Sequence, residues 1–151
     1  VADRVFTAAS ELGDFSLIWH LVGAARGLTS EQAAGDSLTL AALLGAESLI
    51  VNQGVKRAFH RTRPTVAGDH RYDVRAPSTS SFPSGHASAA AFAAVLLASR
   101  SPMWLRPLWY GLALVVALSR AFVRIHHASD VVAGLATGLV LAAIARRVVR
   151  W

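Results

Sequence analysis

The sequence has no cysteine, which removes disulfides, thiolate metal sites and cysteine nucleophiles together. Charge is scarce: Asp, Glu, Lys and Arg make up 16% of the 151 residues, against about 25% in an ordinary soluble domain. Lysine is nearly absent, because Lys56 is the single lysine among 15 basic residues and the others are Arg. That Arg-for-Lys drift makes the formal charge of +6 weak grounds for a nucleic-acid partner. A basic stripe interleaved with aromatics would argue for one; none is present, and no nucleic acid is expected. No basic leader running into an apolar segment stands at the N-terminus, and Val1 in place of Met is what a trimmed chain or a fragment lacking upstream helices would show. What is abundant is apolar: 54% of residues, with a mean hydropathy of +0.43. A chain so apolar and so poor in charge must bury its surface, which excludes disorder and points towards lipid. The length suits one domain, taken as residues 1–151.

Along the chain, Val5, Phe6, Ala9 and Leu12 recur at helical spacing opposite Asp3, Arg4 and Glu11, which predicts a short amphipathic helix over 2–12 lying at a surface, broken by Gly13-Asp14. Residues 15–25 form a marginal apolar segment closed by Arg26-Gly27. Residues 37–55 are long enough to span, with Asp36-Ser37 as the start signal. Glu47 inside that span is expensive and should face the bundle interior; a structural hydrogen bond is the better reading of it than proton chemistry. From Lys56 to Pro83 the helical pattern gives way to a long polar loop. Helices follow over 86–99, over 104–119 and from Ser129 or Asp130 through Ala145. In the last, Ala133, Gly134, Ala136, Gly138 and Ala142 would allow close packing. The fold class expected is all-α, an integral-membrane helical bundle. A soluble all-α domain is the rival, but too little polar chain is left to coat it.

Three polar patches fall at one end of this bundle: Lys56 to Pro64, Pro83-Ser84-Gly85-His86, and Ser119-Arg120 followed by His126 and Asp130. Lys56, Arg63 and Arg120 carry enough positive charge for a dianionic tetrahedral oxyanion, and the two guanidinium forks add directional hydrogen bonds. Ser84 and Gly85 open a helix, where free backbone N–H groups favour an anion. His126 and Asp130, four apart, are expected on one face of a helical turn, so that the carboxylate fixes the tautomer of a nucleophilic imidazole. His86, from another element, could protonate a leaving oxygen and then activate water.

At these residues the sequence resembles the type-2 phosphatidic acid phosphatase superfamily, which also holds bacterial acid phosphatases and vanadium haloperoxidases. The three-part signature is matched without departure: Lys56, six residues, Arg63-Pro64; Pro83-Ser84-Gly85-His86; Ser119-Arg120, five residues, His126, three residues, Asp130. The resemblance implies a phosphatase with His126 as the nucleophile that becomes a phosphohistidine, Asp130 orienting it, and His86 as general acid and base. Lys56, Arg63, Ser84, Gly85 and Arg120 would bind the phosphate. It implies no cofactor and no metal, and the sequence offers no paired carboxylate cluster to hold one. The substrate would be a lipid phosphate in a membrane: phosphatidate, phosphatidylglycerophosphate, a polyprenyl pyrophosphate or a polyprenyl-phospho-sugar phosphate. Selectivity is expected in the loop from Thr65 to Ser81 and in the groove between helices.

Other residues receive plainer readings. Arg57, Arg61, Arg71, Arg75 and Arg124 read as solvated flanks, and His20, His60 and His70 as loop or interface residues. His127 competes with His126 for Asp130, but the family spacing favours His126. Trp104, Trp109, Tyr110 and Trp151 read as an interfacial belt at the end away from the chemistry. Arg26, Arg100, Arg106, Arg146, Arg147 and Arg150 stand at that same end. The C-terminal cluster suggests a cytoplasmic C-terminus, hence an extracytoplasmic site on a bacterial inner membrane. A vanadate-dependent haloperoxidase and a non-catalytic membrane scaffold are the rival functions.

Overall fold

The structure, a computed structural model, describes residues 2–67, 79–149 and 151. Arg71, Arg75, His70, Arg150 and most of the expected selectivity loop lie outside the described residues. Among the described residues, six α-helices account for the architecture: α1 (Ala2–Leu12), α2 (Leu17–Gly27), α3 (Glu31–Leu49), α4 (Gly85–Ser99), α5 (Arg106–Phe122) and α6 (Ala128–Val148). No strand occurs among the described residues. The chain is thus the all-α bundle its periodicity suggested.

α4 is the axis. Its Ala-rich sequence is buried nearly all round, from Ala87 to Ala94 and again at Leu96, Leu97 and Ala98, with α5 and α6 as its main neighbours and α3 beside it. Small side chains make this possible, because they let neighbouring backbones come close. On α6 the matching stripe is Gly134, Gly138 and Ala142, all buried. A Cβ on Gly134 would collide with the Ser84 carbonyl, and one on Gly138 with the Ser88 carbonyl. Ala133 and Ala136, expected in the same role, lie off the contact, Ala136 on the exposed side. α2 packs on α3, and α1 lies along α5.

Three segments have the length and composition to cross a membrane: Glu31–Ala58, Met103–Phe122 and Ala128–Val148. Their outward faces are apolar, with Leu38, Leu49, Leu114, Leu118, Leu139 and Ile144 all at least half exposed. Outward apolar faces on every long helix suit lipid rather than water as the surrounding solvent. α4 has 15 residues, about 22 Å at 1.5 Å rise and shorter than a ~30 Å hydrocarbon core. Sheathed by its neighbours, it has no lipid thickness to match.

Several expected boundaries move. α3 starts at Glu31, with the Ser30 hydroxyl accepting from the Ala33 N–H at 3.1 Å. Asp36 and Ser37 therefore lie inside the helix, and Ser37 bonds back to the Ala33 and Gly23 carbonyls. The apolar pattern begins later than the helix because Glu31 to Ala34 are good helix formers on a polar stretch. At its other end α3 passes into a π turn (Ile50–Gly54) and then a 3-10 turn (Val55–Ala58), so Lys56 stands within the turn and not in a loop. α5 continues to Phe122, three residues past the expected end, and carries Arg120 inside the helix.

The interfacial-belt reading holds poorly for two tryptophans. Trp109 is buried, donates from Nε1 to Ser101 Oγ at 2.9 Å and lies under the Arg26 guanidinium. Trp151 donates to the Leu96 carbonyl at 3.0 Å and to Ser99 Oγ at 2.9 Å. A buried indole N–H needs an acceptor, and the frayed end of α4 supplies these. Trp104 and Tyr110 remain exposed.

Candidate active site

The three polar patches do meet at one end of the bundle, tied there by backbone hydrogen bonds between the motifs. The Ser84 N–H donates to the Asp130 carbonyl at 2.9 Å, joining the starts of α4 and α6. The Ser81 N–H donates to the Arg61 carbonyl at 2.9 Å, and the His126 N–H to the Arg120 carbonyl at 3.1 Å. Side chains then converge: Lys56, Arg63, Ser84, Arg120, His126 and Asp130 are all buried, in a chain where charged residues are otherwise mostly on the surface. Lys56 interacts electrostatically with Arg63, Arg120, Glu47 and Asp130. A Cβ on Gly85 would stand 3.5 Å from Lys56 Nζ and 3.0 Å from Asn52 Oδ1, so the lysine reaches the first turn of α4. Ser84 is the N-cap of α4, its hydroxyl accepting from the Ala87 N–H.

His126 lies in the turn before α6, not on the helix. The expected single helical face with Asp130 is therefore corrected. Its Nδ1 stands 3.6 Å from Asp130 Oδ2, beyond a good hydrogen bond, and the Ser81 hydroxyl stands beside both. Ser81 Oγ is 3.4 Å from Nδ1 and donates to Asp130 Oδ2 at 2.5 Å. On the other edge of the ring, Arg63 Nη1 lies 3.1 Å from Nε2. A guanidinium only donates, so Nε2 must present its lone pair and Nδ1 must carry the hydrogen. Burial, reinforced by the charges of Arg63, Arg120, Lys56 and His86, holds the imidazole well below its ordinary range. The ring is neutral at physiological pH.

Asp130, at the third position of α6, accepts from the His127 N–H at 2.9 Å, so His127 serves as the helix N-cap and not as a competing ligand of the carboxylate through its ring. Arg61 was expected to be a solvated flank; instead its Nη1 bonds Asp130 Oδ1 at 2.7 Å. Arg57 and His60 are exposed as expected, Arg57 bonding Gln53 one turn back. Arg120 donates from Nη1 to Ser10, to its carbonyl at 3.1 Å and to its hydroxyl. The Arg120 Nε–H, also buried, has no hydrogen-bond partner among the described residues. Glu47 behaves as the structural reading had it, accepting from the Ser88 hydroxyl of α4. His86 donates from Nε2 to Asp14 Oδ1 at 2.8 Å.

A cavity of about 400 Å³ opens against this cluster, lined among others by Asp14, Ser48, Asn52, Gln53, Lys56, Thr79, Gly85 and His86. His126 is not on its wall. Between them stands Arg63, which holds His126 with Nη1 and the Thr79 carbonyl with Nη2 at 3.1 Å. Asp14, Arg61 and Ser81 are the site residues that sequence reasoning did not single out. Ser81 lies two residues before Pro83-Ser84-Gly85 and Arg61 two before Arg63, so nearness to the motifs was the one signal available.

Comparison with known proteins bears on the family and the fold. The model of the PAP2 superfamily matches residues 37–151. The decaprenylphosphoryl-5-phosphoribose phosphatase of Mycobacterium tuberculosis is 38% identical over 93 residues, covering 60% of this chain and 49% of that protein. Its counterpart in Mycolicibacterium smegmatis is 34% identical over 133 residues, covering 84% and 68%. The chain thus spans about half the length of the first of these relatives and two thirds of the second. Among solved structures, the transmembrane PAP2 type phosphatidylglycerolphosphate phosphatase of Bacillus subtilis superposes with a TM-score of 0.73 at 26% identity, over 97% of this chain and 76% of that one. With the signature, the helical bundle and the match over residues 37–151 in agreement, the chain belongs to the PAP2 superfamily and is a membrane protein.

Proposed function

We propose that this chain is a lipid phosphate phosphatase, hydrolysing a phosphate monoester or pyrophosphate carried by a membrane lipid through a phosphohistidine on His126. The observation that carries the reading is the setting of His126: a buried neutral imidazole whose Nε2 lone pair faces the Arg63 fork while Nδ1–H faces Ser81 and Asp130.

In the first step Nε2 attacks phosphorus, the bond from phosphorus to the leaving oxygen breaks, and His86 gives that oxygen a proton. Arg63 turns from Nε2 to a phosphate oxygen, and the developing imidazolium is stabilised through Ser81 by the Asp130 carboxylate. In the second step water attacks the phosphohistidine, His86 takes its proton, and the P–N bond breaks to release phosphate. Lys56, Arg63, Arg120 and the N-terminus of α4 at Ser84 and Gly85 hold the phosphate oxygens. The buried, unpartnered Arg120 Nε–H is a donor ready for one of them, since leaving it unmade costs about 1–3 kcal/mol. No step needs a metal or cofactor.

Of the candidate lipids, the reading favours a polyprenyl-phospho-sugar phosphate, because two relatives are named as phosphatases of such a compound. The cavity beside Lys56 supports it, offering Ser48, Asn52 and Gln53 to a hydroxyl-bearing group. Residues 1–151 are read as one domain, in a bacterial inner membrane with the site on the extracytoplasmic side. The test is phosphate release by the purified chain across a panel of lipid phosphates, with His126→Ala as the blank. Release confined to the unmodified chain, with label trapped on His126, is the expected result; equal release by His126→Ala would sink the reading.

A further inference from the structure

The catalytic reading leaves the α1 segment unused, yet two of its residues bond directly to site residues and a third closes on one. Ser10, fully buried, takes hydrogen bonds from Arg120 Nη1. Asp14 accepts from His86 Nε2 at 2.8 Å. Gly13 runs so close to the same ring that a Cβ there would stand 2.6 Å from His86 Cδ2. All three precede the part of the chain that the PAP2 superfamily model covers.

The local backbone supports a purpose. After Gly13 the chain turns through Asp14–Ser16, where Phe15 (φ 52°) and Ser16 (φ 59°) both take left-handed conformations. Two adjacent non-glycine residues in that region are unusual and need something to hold them. The Phe15 side chain does not, for it is 86% exposed. One polar contact made from this turn is that of Asp14 with His86.

We infer that Asp14 is the positioning carboxylate of His86, delivered by the Gly13–Ser16 turn, and that the α1 segment is a working part of the active site. This rests on the reading of His86 as the general acid and base. A carboxylate accepts and does not donate, so Asp14 keeps the Nε2 hydrogen and leaves Nδ1 for the proton that travels. His86, protonated on both nitrogens, gives the Nδ1 proton to the leaving oxygen while the P–O bond breaks. It regains one at Nδ1 from the attacking water. Asp14 stabilises the cationic ring between these events, against its burial and the charges of Arg120 of α5 and Lys56 after α3; His126 before α6 faces the same ring, and Glu47 of α3 lines the same cavity.

The test uses the full chain in detergent micelles with dioctanoyl phosphatidic acid, comparing Asp14→Asn, Asp14→Glu, Glu11→Gln and His126→Ala. Asp14→Asn keeps an acceptor for Nε2–H but loses the charge. Its kcat is expected to fall on the order of 10- to 100-fold, with KM and inhibition by inorganic phosphate little changed. The alkaline limb of kcat moves to lower pH, because the cationic ring loses its counter-charge. Asp14→Glu recovers part of the rate, and Glu11→Gln, an exposed change on α1, has none of these effects. Unchanged kcat and pH profile in Asp14→Asn overturn the inference. So does a loss of rate with an unmoved limb, no recovery in Asp14→Glu and weakened phosphate inhibition, which mark a merely structural role. Failure of the underlying reading looks different: release that survives His126→Ala.

Discussion

Ser81→Ala isolates the link between His126 and its carboxylate. In the native site the Asp130 carboxylate accepts from Arg61 Nη1 at 2.7 Å, Ser81 Oγ at 2.5 Å and the His127 N–H at 2.9 Å. With His126 Nδ1 at 3.6 Å from Asp130 Oδ2, beyond a good hydrogen bond, the Ser81 hydroxyl carries the hydrogen-bonded link between ring and carboxylate. A hydrogen bond to a charged group contributes about 1.5–3 kcal/mol. If the link tightens as the imidazole becomes cationic, that loss falls on the transition state, and at 1.36 kcal/mol per decade it predicts a drop in kcat/KM of about 10- to 150-fold. Arg61→Ala supplies the contrast. It removes a partner of the same carboxylate, but the Arg61 side chain is 41% exposed, where solvent screening leaves an ion pair worth about 0.2–1 kcal/mol, or under about 6-fold in rate. The assay is phosphate release at several lipid concentrations for the two variants and the parent, with thermal midpoints to confirm folding. Arg61→Ala costing more than Ser81→Ala would refute the reasoning, since it would make the exposed ion pair and not the buried hydroxyl the support of Asp130.

Two further outcomes follow from packing and charge. Gly138→Ala drives a methyl at the Ser88 carbonyl and should lower the thermal midpoint through overpacking of about 1–3 kcal/mol; Gly134→Ala, aimed at the Ser84 carbonyl beside the phosphate-binding turn, should lower phosphate release as well, and thermal unfolding paired with the rate assay separates the two. Because burial and neighbouring cations lower the His126 value, its neutral form persists as pH falls through about 6.5, the ordinary histidine value. The acid limb of kcat/KM should therefore lie well below that pH, and a limb near 6.5 assigned to His126 by its absence in a variant would contradict the electrostatics.

What could be read in the sequence and what could not divide along a physical line. The helices showed as apolar segments, yet α3 begins at Ser30 and Glu31, ahead of its apolar residues, because helix propagation follows backbone propensity and capping and not hydropathy. The spacing of His126 and Asp130 suggested a helical pair, but a turn precedes α6, and the relation between them runs through Ser81 from 45 and 49 residues away. Trp109 looked interfacial until Ser101 supplied a buried acceptor. The last two misses are tertiary contacts for which no local period exists.

The site residues divide in the same way. On the proposed function, Lys56, Arg63, Ser84, Gly85, His86, Arg120, His126 and Asp130 are the residue types that the chemistry of a phosphate calls for, which is what made them legible in the sequence. Asp14, Ser81 and Arg61 serve those residues, and what they supply is one acceptor or one donor at a fixed point. A hydroxyl or a carboxylate from any element that passes near could fill such a place. The fold alone decides which does, and here the choice depends on the turn after α1 that carries Asp14 to His86 and on the backbone bond that pins Ser81 to Arg61. Supporting residues of this kind are found by asking what each buried polar atom of the motifs is bonded to, which is why the active site extends beyond the residues of its signature.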